Sequence, residues 1–196
     1  MSEGHISHSF FVMGPLRLLL LLLLGLAAFT PVTASAEEDE ELIENMNSYT
    51  RLDCPSSFFT VGDRCVLVNP FLSGTWDESR FYCKTLGADM VQIESWEFYL
   101  AILEFLIMEG LDENSYWMGA RDVAQEGEWR WEVGGELMTM GSPFWSLYFQ
   151  PGYVYHMEPW GGIASNCARL DHKRYLYMDD DDCLNHNAVM CQVVPK

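Results

Sequence analysis

Apolar and polar positions change their rhythm twice along the chain. Leu16 to Ala28 is an almost unbroken apolar run. From Cys54 to Gly110 the apolar residues sort into two strand-like pieces and two helical stripes, and from Tyr116 onward the period shortens to that of strands. Phe58-Phe59-Thr60-Val61 and Cys65-Val66-Leu67-Val68 flank Gly62-Asp63, which predicts a hairpin. Thr75-Trp76-Asp77-Glu78 has the sequence of a capping box, with Thr75 as N-cap and Glu78 at the third helical position. Trp76, Cys83 and Leu86, with Ser79 between them, share one face of the predicted helix, and Gly87 ends it. Ser95 caps a second helix, in which Trp96, Tyr99, Leu100, Leu103, Leu106 and Ile107 recur at helical spacing as far as Gly110. Both stripes are read as core.

Tyr116 to Ala120 and Trp129-Arg130-Trp131 are short aromatic strands, set among the turn residues Gly127, Gly134 and Gly135. Gly141-Ser142-Pro143 then opens a long aromatic loop bearing Trp145, Tyr148, Phe149, Tyr153, Tyr155 and Trp160. Further strands are predicted over 166–170, 175–178 and 188–193. Two early helices followed by many short strands define an α+β fold.

The leading apolar run alters the domain picture. It is followed by Ala34-Ser35-Ala36, a small-x-small site directly before the acidic run Glu37 to Glu41, which predicts a secretory signal peptide over 1–36. The run is short and wrongly flanked for a membrane span, with a signal anchor as the alternative. Met13 would give a more typical start than Met1. Residues 37–53 form an acidic arm and 54–196 a single domain, secreted to the extracellular space. The formal charge of -18 argues against nucleic acid and anionic membrane, and favours cations, basic partners or neutral ligands. All six cysteines follow the expected cleavage site, and an even number in an exported chain predicts a disulfide framework. No zinc spacing, N-glycosylation acceptor, nucleophile elbow or His-Glu-x-x-His is present, so no enzyme is expected.

One stretch carries chemistry. Glu158-Pro159-Trp160-Gly161-Gly162 is followed by Asn166-Cys167-Ala168 and then by four consecutive carboxylates, Asp179 to Asp182, beside Cys183. Such a run repels itself unless water or a cation offsets it, and calcium takes six to eight hard oxygen ligands. The simpler alternative is a solvated acidic loop pinned by a disulfide.

Taken together, the residues resemble the C-type lectin-like domain family from Cys54 to Gln192. Trp76 to Cys83 resembles its first helix and Trp117-Met118-Gly119-Ala120 its W-I-G-L strand. Gly127-Glu128-Trp129-Arg130-Trp131 resembles its E-G-x-W-x-W segment, and Asn166 to Leu170 and Cys183 to Cys191 fall at the usual places. The resemblance implies the bridges Cys54–Cys65, Cys83–Cys191 and Cys167–Cys183. In sugar-binding members, amides and carboxylates hold one calcium and the sugar's vicinal hydroxyls together. Here Glu158 matches the first glutamate, Trp160 stands where an amide is usual, and Ser165 stands where a second glutamate is usual. Met178 and Asp179 replace a Trp-Asn pair while Asp180 keeps the family's aspartate. Gln150-Pro151-Gly152 is a competing position for the first triplet. Glu158, Asp179 and Asp180 are thus the expected metal ligands, with Asp182 able to help, and with Trp160 they are the expected carbohydrate contacts. Both orienting amides are missing, and ionised carboxylates can only accept hydrogen bonds.

A second, structural calcium position in the family matches Asp122 and Glu126, with Asn166 able to add an oxygen; a loop salt bridge or turn, with Asp122 or Glu126 pairing Arg121 or Arg130, is the alternative. Trp145 is read as packing and Trp160 as the contact residue of the aromatic loop. His156, His172 and His186 show no ligand spacing. The leading function is a secreted carbohydrate-binding lectin, of the kind that recognises microbial surface glycans in innate immunity. The alternative is a domain that has lost its sugar site and binds a protein or glycoprotein. Self-association into a homo-oligomer is left open.

Overall fold

A computed structural model describes residues 52–194 apart from Ser142, Pro151 and Tyr153, and without the side chains of 148–150 and 154. The signal segment and nearly all of the acidic arm lie outside the described residues. The chain starts as expected. β1 (Phe59–Val61) and β2 (Arg64–Gly74) form an antiparallel hairpin. Its turn passes through Gly62 at φ 58°, a left-handed conformation that a side chain rarely adopts.

Helix α1 (Trp76–Thr85) opens with the complete capping box. The Glu78 amide donates to the Thr75 hydroxyl at 3.3 Å, and the Thr75 amide donates to the Glu78 carboxylate at 2.9 Å. Trp76, Ser79 and Cys83 are buried, but Leu86 is the C-cap and 43% exposed, because the helix ends one residue before it. In α2 (Trp96–Met108) the buried face is Phe98, Tyr99, Ile102 and Leu106. The expected stripe is partly wrong, since Trp96, Leu100 and Ile107 are exposed. This helix is apolar on nearly every side, so spacing alone does not select the face that meets the sheet.

The main sheet runs β1-β2-β10-β4-β8-β9, with β3 (Asp89–Met90) on β10 and β5 (Arg130–Trp131) on β4. β4 (Tyr116–Arg121) lies parallel to β10 (Asn187–Gln192) and antiparallel to β8 (Cys167–Asp171), which pairs with β9 (Tyr177–Asp181). Two buried tryptophans tie helix and sheet together. Trp76 Nε1 donates to the Met118 carbonyl at 2.8 Å and Trp117 Nε1 to that of Gly74 at 2.9 Å. All three bridges form as the resemblance implies: Cys54–Cys65, Cys83–Cys191 and Cys167–Cys183.

Two expectations change in the second half. The aromatic segment is not a loop throughout: β6 (Leu147–Gln150) and β7 (Val154–Met157) form a separate hairpin, with Leu147 opposite Met157 and Phe149 opposite Tyr155. The last acidic strand begins at Tyr177 rather than Tyr175. Tyr175 and Leu176 occupy left-handed backbone (φ 57° and 62°) after the 3-10 turn His172–Arg174, so the carboxylate run itself becomes strand.

Candidate functional site

Strand geometry decides where the four aspartates point. Successive residues face opposite sides of a strand. Asp179 therefore lies on one side of β9, next to Arg169, its antiparallel partner on β8. The Asp180 carboxylate meets the chain entering from β7. That chain arrives through the cis peptide Glu158-Pro159, and the Glu158 amide is fixed on the Ser146 carbonyl at 2.9 Å. The result is the expected set: Glu158, Asp179 and Asp180 are all buried, each with a carboxylate oxygen within 4.8 Å of the others. Gln150 sits at the far end of the β6–β7 hairpin, so Glu158-Pro159-Trp160 is the triplet that adjoins the aspartates.

The cations beside these carboxylates are arginines of the same chain. Arg174 Nη1 donates to Asp179 Oδ1 at 2.8 Å, to the Ser146 hydroxyl at 3.0 Å, and to the Glu158 carboxylate. Arg169 donates from Nη2 to Asp179 Oδ2 at 2.9 Å and also reaches Asp181. Asp180 is held by backbone: Oδ1 accepts the Trp160 amide at 2.9 Å and Oδ2 that of Gly161 at 2.6 Å. Gly161 permits this approach, since a Cβ there would overlap Ser165 and the Asp180 carboxylate. The surrounding cleft measures about 280 Å³. As a calcium position the triad fits poorly. Two of its members bind one guanidinium, the third accepts two backbone amides, and Trp160 and Ser165 offer neither a side-chain amide nor a carboxylate there.

Crowding shows in the protonation equilibria. Burial pushes the Glu158 carboxyl up to about 7; Arg174 opposes the shift, and Asp179 and Asp180 add to it. Asp179 is also raised by burial, with Arg169 and Arg174 acting against the rise. Arg174 in turn is held above its ordinary value: burial opposes its charge, but Glu158 and Asp179 outweigh that.

The second acidic position is built differently. Asp122 is buried, its Oδ2 accepts the Gly127 amide at 2.8 Å, and its Oδ1 is buried without a hydrogen-bond partner. Burial raises the Asp122 carboxyl, and Asp180 adds to the rise. Glu126 is exposed, and its carboxyl is raised by partial desolvation and by the charges of Asp122 and Asp180. Among the described ion pairs Arg121 joins Asp77 and Glu132, and Arg130 joins Glu128, so of the alternative the turn through Asp122 and Gly127 forms and the salt bridge does not. Asn166 uses its side-chain amide on the Ile163 carbonyl at 3.2 Å, which leaves its side-chain oxygen available. Asp182 is exposed at the turn after β9, where its Oδ1 accepts the Leu184 amide at 3.0 Å, and it stays out of the buried triad.

Trp145 is buried and packs edge-on against Trp129, as expected, while Trp160 is 56% exposed and stacks on His156 at 3.8 Å. Sequence reasoning missed Arg169 and Arg174. The readable signal was pairing: once 166–170 and the acidic run are neighbouring antiparallel strands, Arg169 must face an aspartate. Arg174 has no such local signature, because it reaches Glu158 through a turn that periodicity does not specify.

Residues 73–193 match the family described as the lectin C-type domain. This chain belongs to the C-type lectin domain family. Relatives include C-type lectin mosGCTL-7 of Aedes aegypti, 27% identical over 63% of this chain and 79% of that one. Killer cell lectin-like receptor subfamily B member 1A of Mus musculus is 30% identical over 62% of this chain and 56% of its own length. The chain thus spans much of the mosquito protein and just over half of the mouse receptor. Among solved structures, a Ca2+-dependent type II antifreeze protein in its Ca2+-free form matches with a TM-score of 0.55 at 21% identity, covering 71% of this chain and 98% of that one. A calcium-independent type II antifreeze protein matches with a TM-score of 0.54 at 21% identity, covering 72% and 95%. These likenesses carry the fold. Among the described residues no helix is long and apolar enough to cross a membrane.

Proposed function

We propose that this chain is an extracellular recognition domain whose long-loop face binds a protein or glycoprotein ligand without calcium among Glu158, Asp179 and Asp180. The Arg174 guanidinium carries the reading. It lies between Glu158 and Asp179, supplies the positive charge the carboxylates need, and presents no coordination site to a sugar diol. Recognition then falls to the exposed apolar side chains beside the site, Trp160 and Ile163. Exposed apolar clusters of this sort mark binding surfaces. The apolar leader at Leu16 to Ala28 and the three disulfides support export. The stacked, exposed Trp160 also favours a second reading, a metal-free glycan contact in which a sugar ring lies on the indole.

Calcium would instead bind at Asp122 and Glu126, with the Asn166 oxygen. That reading rests on the buried, unpartnered Asp122 Oδ1. An ion there would brace the loop and would not hold the ligand.

The test is binding of the labelled mature protein to a glycan array and to intact cells, each in calcium and in chelator. Protease-sensitive, chelator-resistant cell binding that weakens in Trp160→Ala supports the reading. Chelator-sensitive capture of mannose-type sugars would overturn it. Chelator-resistant binding to defined glycans would select the metal-free sugar contact.

A further inference from the structure

Adjoining Arg174 is a cleft of about 650 Å³ between the β6–β7 hairpin and the turn that carries Lys173 to Tyr177. That size is within the range of small-ligand sites. Its wall is largely apolar, with Trp145 and Leu147 on one side, Met157 from the facing strand, and Tyr175 and Tyr177 closing the other side. Leu147 and Met157 are cross-strand partners, so their side chains stand on the same face of the hairpin.

The charge of this wall differs from that of the other clefts on the described surface. The chain has 29 acidic residues against 11 basic ones. Four other clefts of the described surface each carry at least two carboxylates. The residues lining this cleft include none, and its two charged groups are Lys173 and Arg174. Arg174 is engaged with Glu158 and Asp179, whereas the Lys173 ammonium forms no ion pair among the described residues. The Ser146 hydroxyl adds a polar group at the boundary, where it accepts from Arg174. An ammonium left unpaired beside aromatic and aliphatic surface, in a chain this acidic, is complementary to a ligand with an apolar body and a negative head.

We propose that this cleft binds a small amphipathic anion, its aliphatic or aromatic body against Leu147, Met157, Tyr175 and Tyr177 and its anionic head at Lys173. The site lies outside the carboxylate cluster and does not depend on how the long-loop face recognises a macromolecule. Dodecanoate, below its micellar concentration, is the probe, titrated calorimetrically into the intact mature protein, with dodecyltrimethylammonium as the chain-matched cation. The expected result is one-to-one binding of dodecanoate, with the cation at least about fivefold weaker. Lys173→Glu and, independently, Leu147→Glu should each weaken dodecanoate by about fivefold or more. Both side chains are exposed, so unchanged melting temperatures would show that the fold is intact. Equal affinity for cation and anion, no effect of either substitution in a folded protein, or binding only to phosphatidylglycerol vesicles overturns the proposal.

Discussion

Replacing Arg174 with methionine keeps most of its length and removes its charge. In the native protein the guanidinium donates to Glu158, to Asp179 at 2.8 Å and to the Ser146 hydroxyl at 3.0 Å. Without it, Glu158, Asp179 and Asp180 remain buried within 4.8 Å of one another, with Arg169 on Asp179 as the nearest remaining guanidinium. Removing one partner of a buried ion pair costs about 3–5 kcal/mol, mostly because the surviving charge stays buried. For a domain of this size that corresponds to a fall in Tm of roughly 10–20 °C. The effect has a definite pH signature. The folded-state value of Glu158, about 7, lies above the ordinary 4.5. Its contribution to stability is therefore fully present below about 4.5 and is lost as pH rises through about 7. Loss of Arg174 raises Glu158 and Asp179 further, so Arg174→Met should be impaired more at pH 8 than at pH 5. The assay is thermal unfolding of wild type and variant across that range, in chelator and in millimolar calcium. In the variant the opened carboxylate pocket should respond to calcium more than the wild-type protein does, by up to about 2.7 kcal/mol at a hundredfold excess over Kd. A wild-type stability indifferent to Arg174 in chelator would refute the reasoning. So would a wild-type calcium response that Asp180→Ala abolishes and Asp122→Asn leaves intact.

Gly161→Ala places a methyl against Ser165 and the Asp180 carboxylate; it should cost about 1–3 kcal/mol by urea unfolding and weaken ligand binding with it. Any calcium-induced rise in wild-type Tm should disappear in Asp122→Asn, because Asp122 Oδ1 is the buried oxygen without a hydrogen-bond partner. The bridge Cys83–Cys191 closes a separation of 108 residues, so the paired serine variant should lose about 4–5 kcal/mol, more than the roughly 3 kcal/mol expected for Cys167–Cys183 at a separation of 16. Trp160→Ala should leave Tm within about 2 °C, because the indole is exposed, while lowering ligand affinity.

The fold was legible where local chemistry is self-sufficient. Thr75 and Glu78 specify a helix start without any tertiary partner, and Gly62 specifies its turn. The phase of α2 was not legible, because Phe98, Leu100, Ile102 and Ile107 are equally apolar and only the sheet chooses among them. The start of β9 was hidden for a related reason: Tyr175 and Leu176 look like strand residues, yet the turn at His172–Arg174 holds both in left-handed backbone. At the site, the acidic members were legible as a run of charge beside cysteine and as Glu158 before proline. Their counterions were not, since Arg174 acts through a turn and Arg169 through a cross-strand pairing.

Substituting a guanidinium for a metal ion changes what such a site can do. Calcium accepts several oxygens and can exchange one for a ligand hydroxyl, so charge balance and recognition can share one centre. A guanidinium only donates, in directions fixed by its plane, and Arg174 directs Nη1 to two carboxylates and a hydroxyl of its own chain. The donors that settle the acidic cluster are thus turned inward, and Asp180 spends both of its oxygens on the Trp160 and Gly161 amides. Those same two bonds fix the segment on which Trp160 is displayed. The buried ion network therefore acts as a scaffold for the exposed indole. Disturbing Arg174 should alter ligand binding through the placement of Trp160 rather than through loss of a ligand contact, and so Trp160→Ala should have little further effect on affinity in an Arg174→Met background.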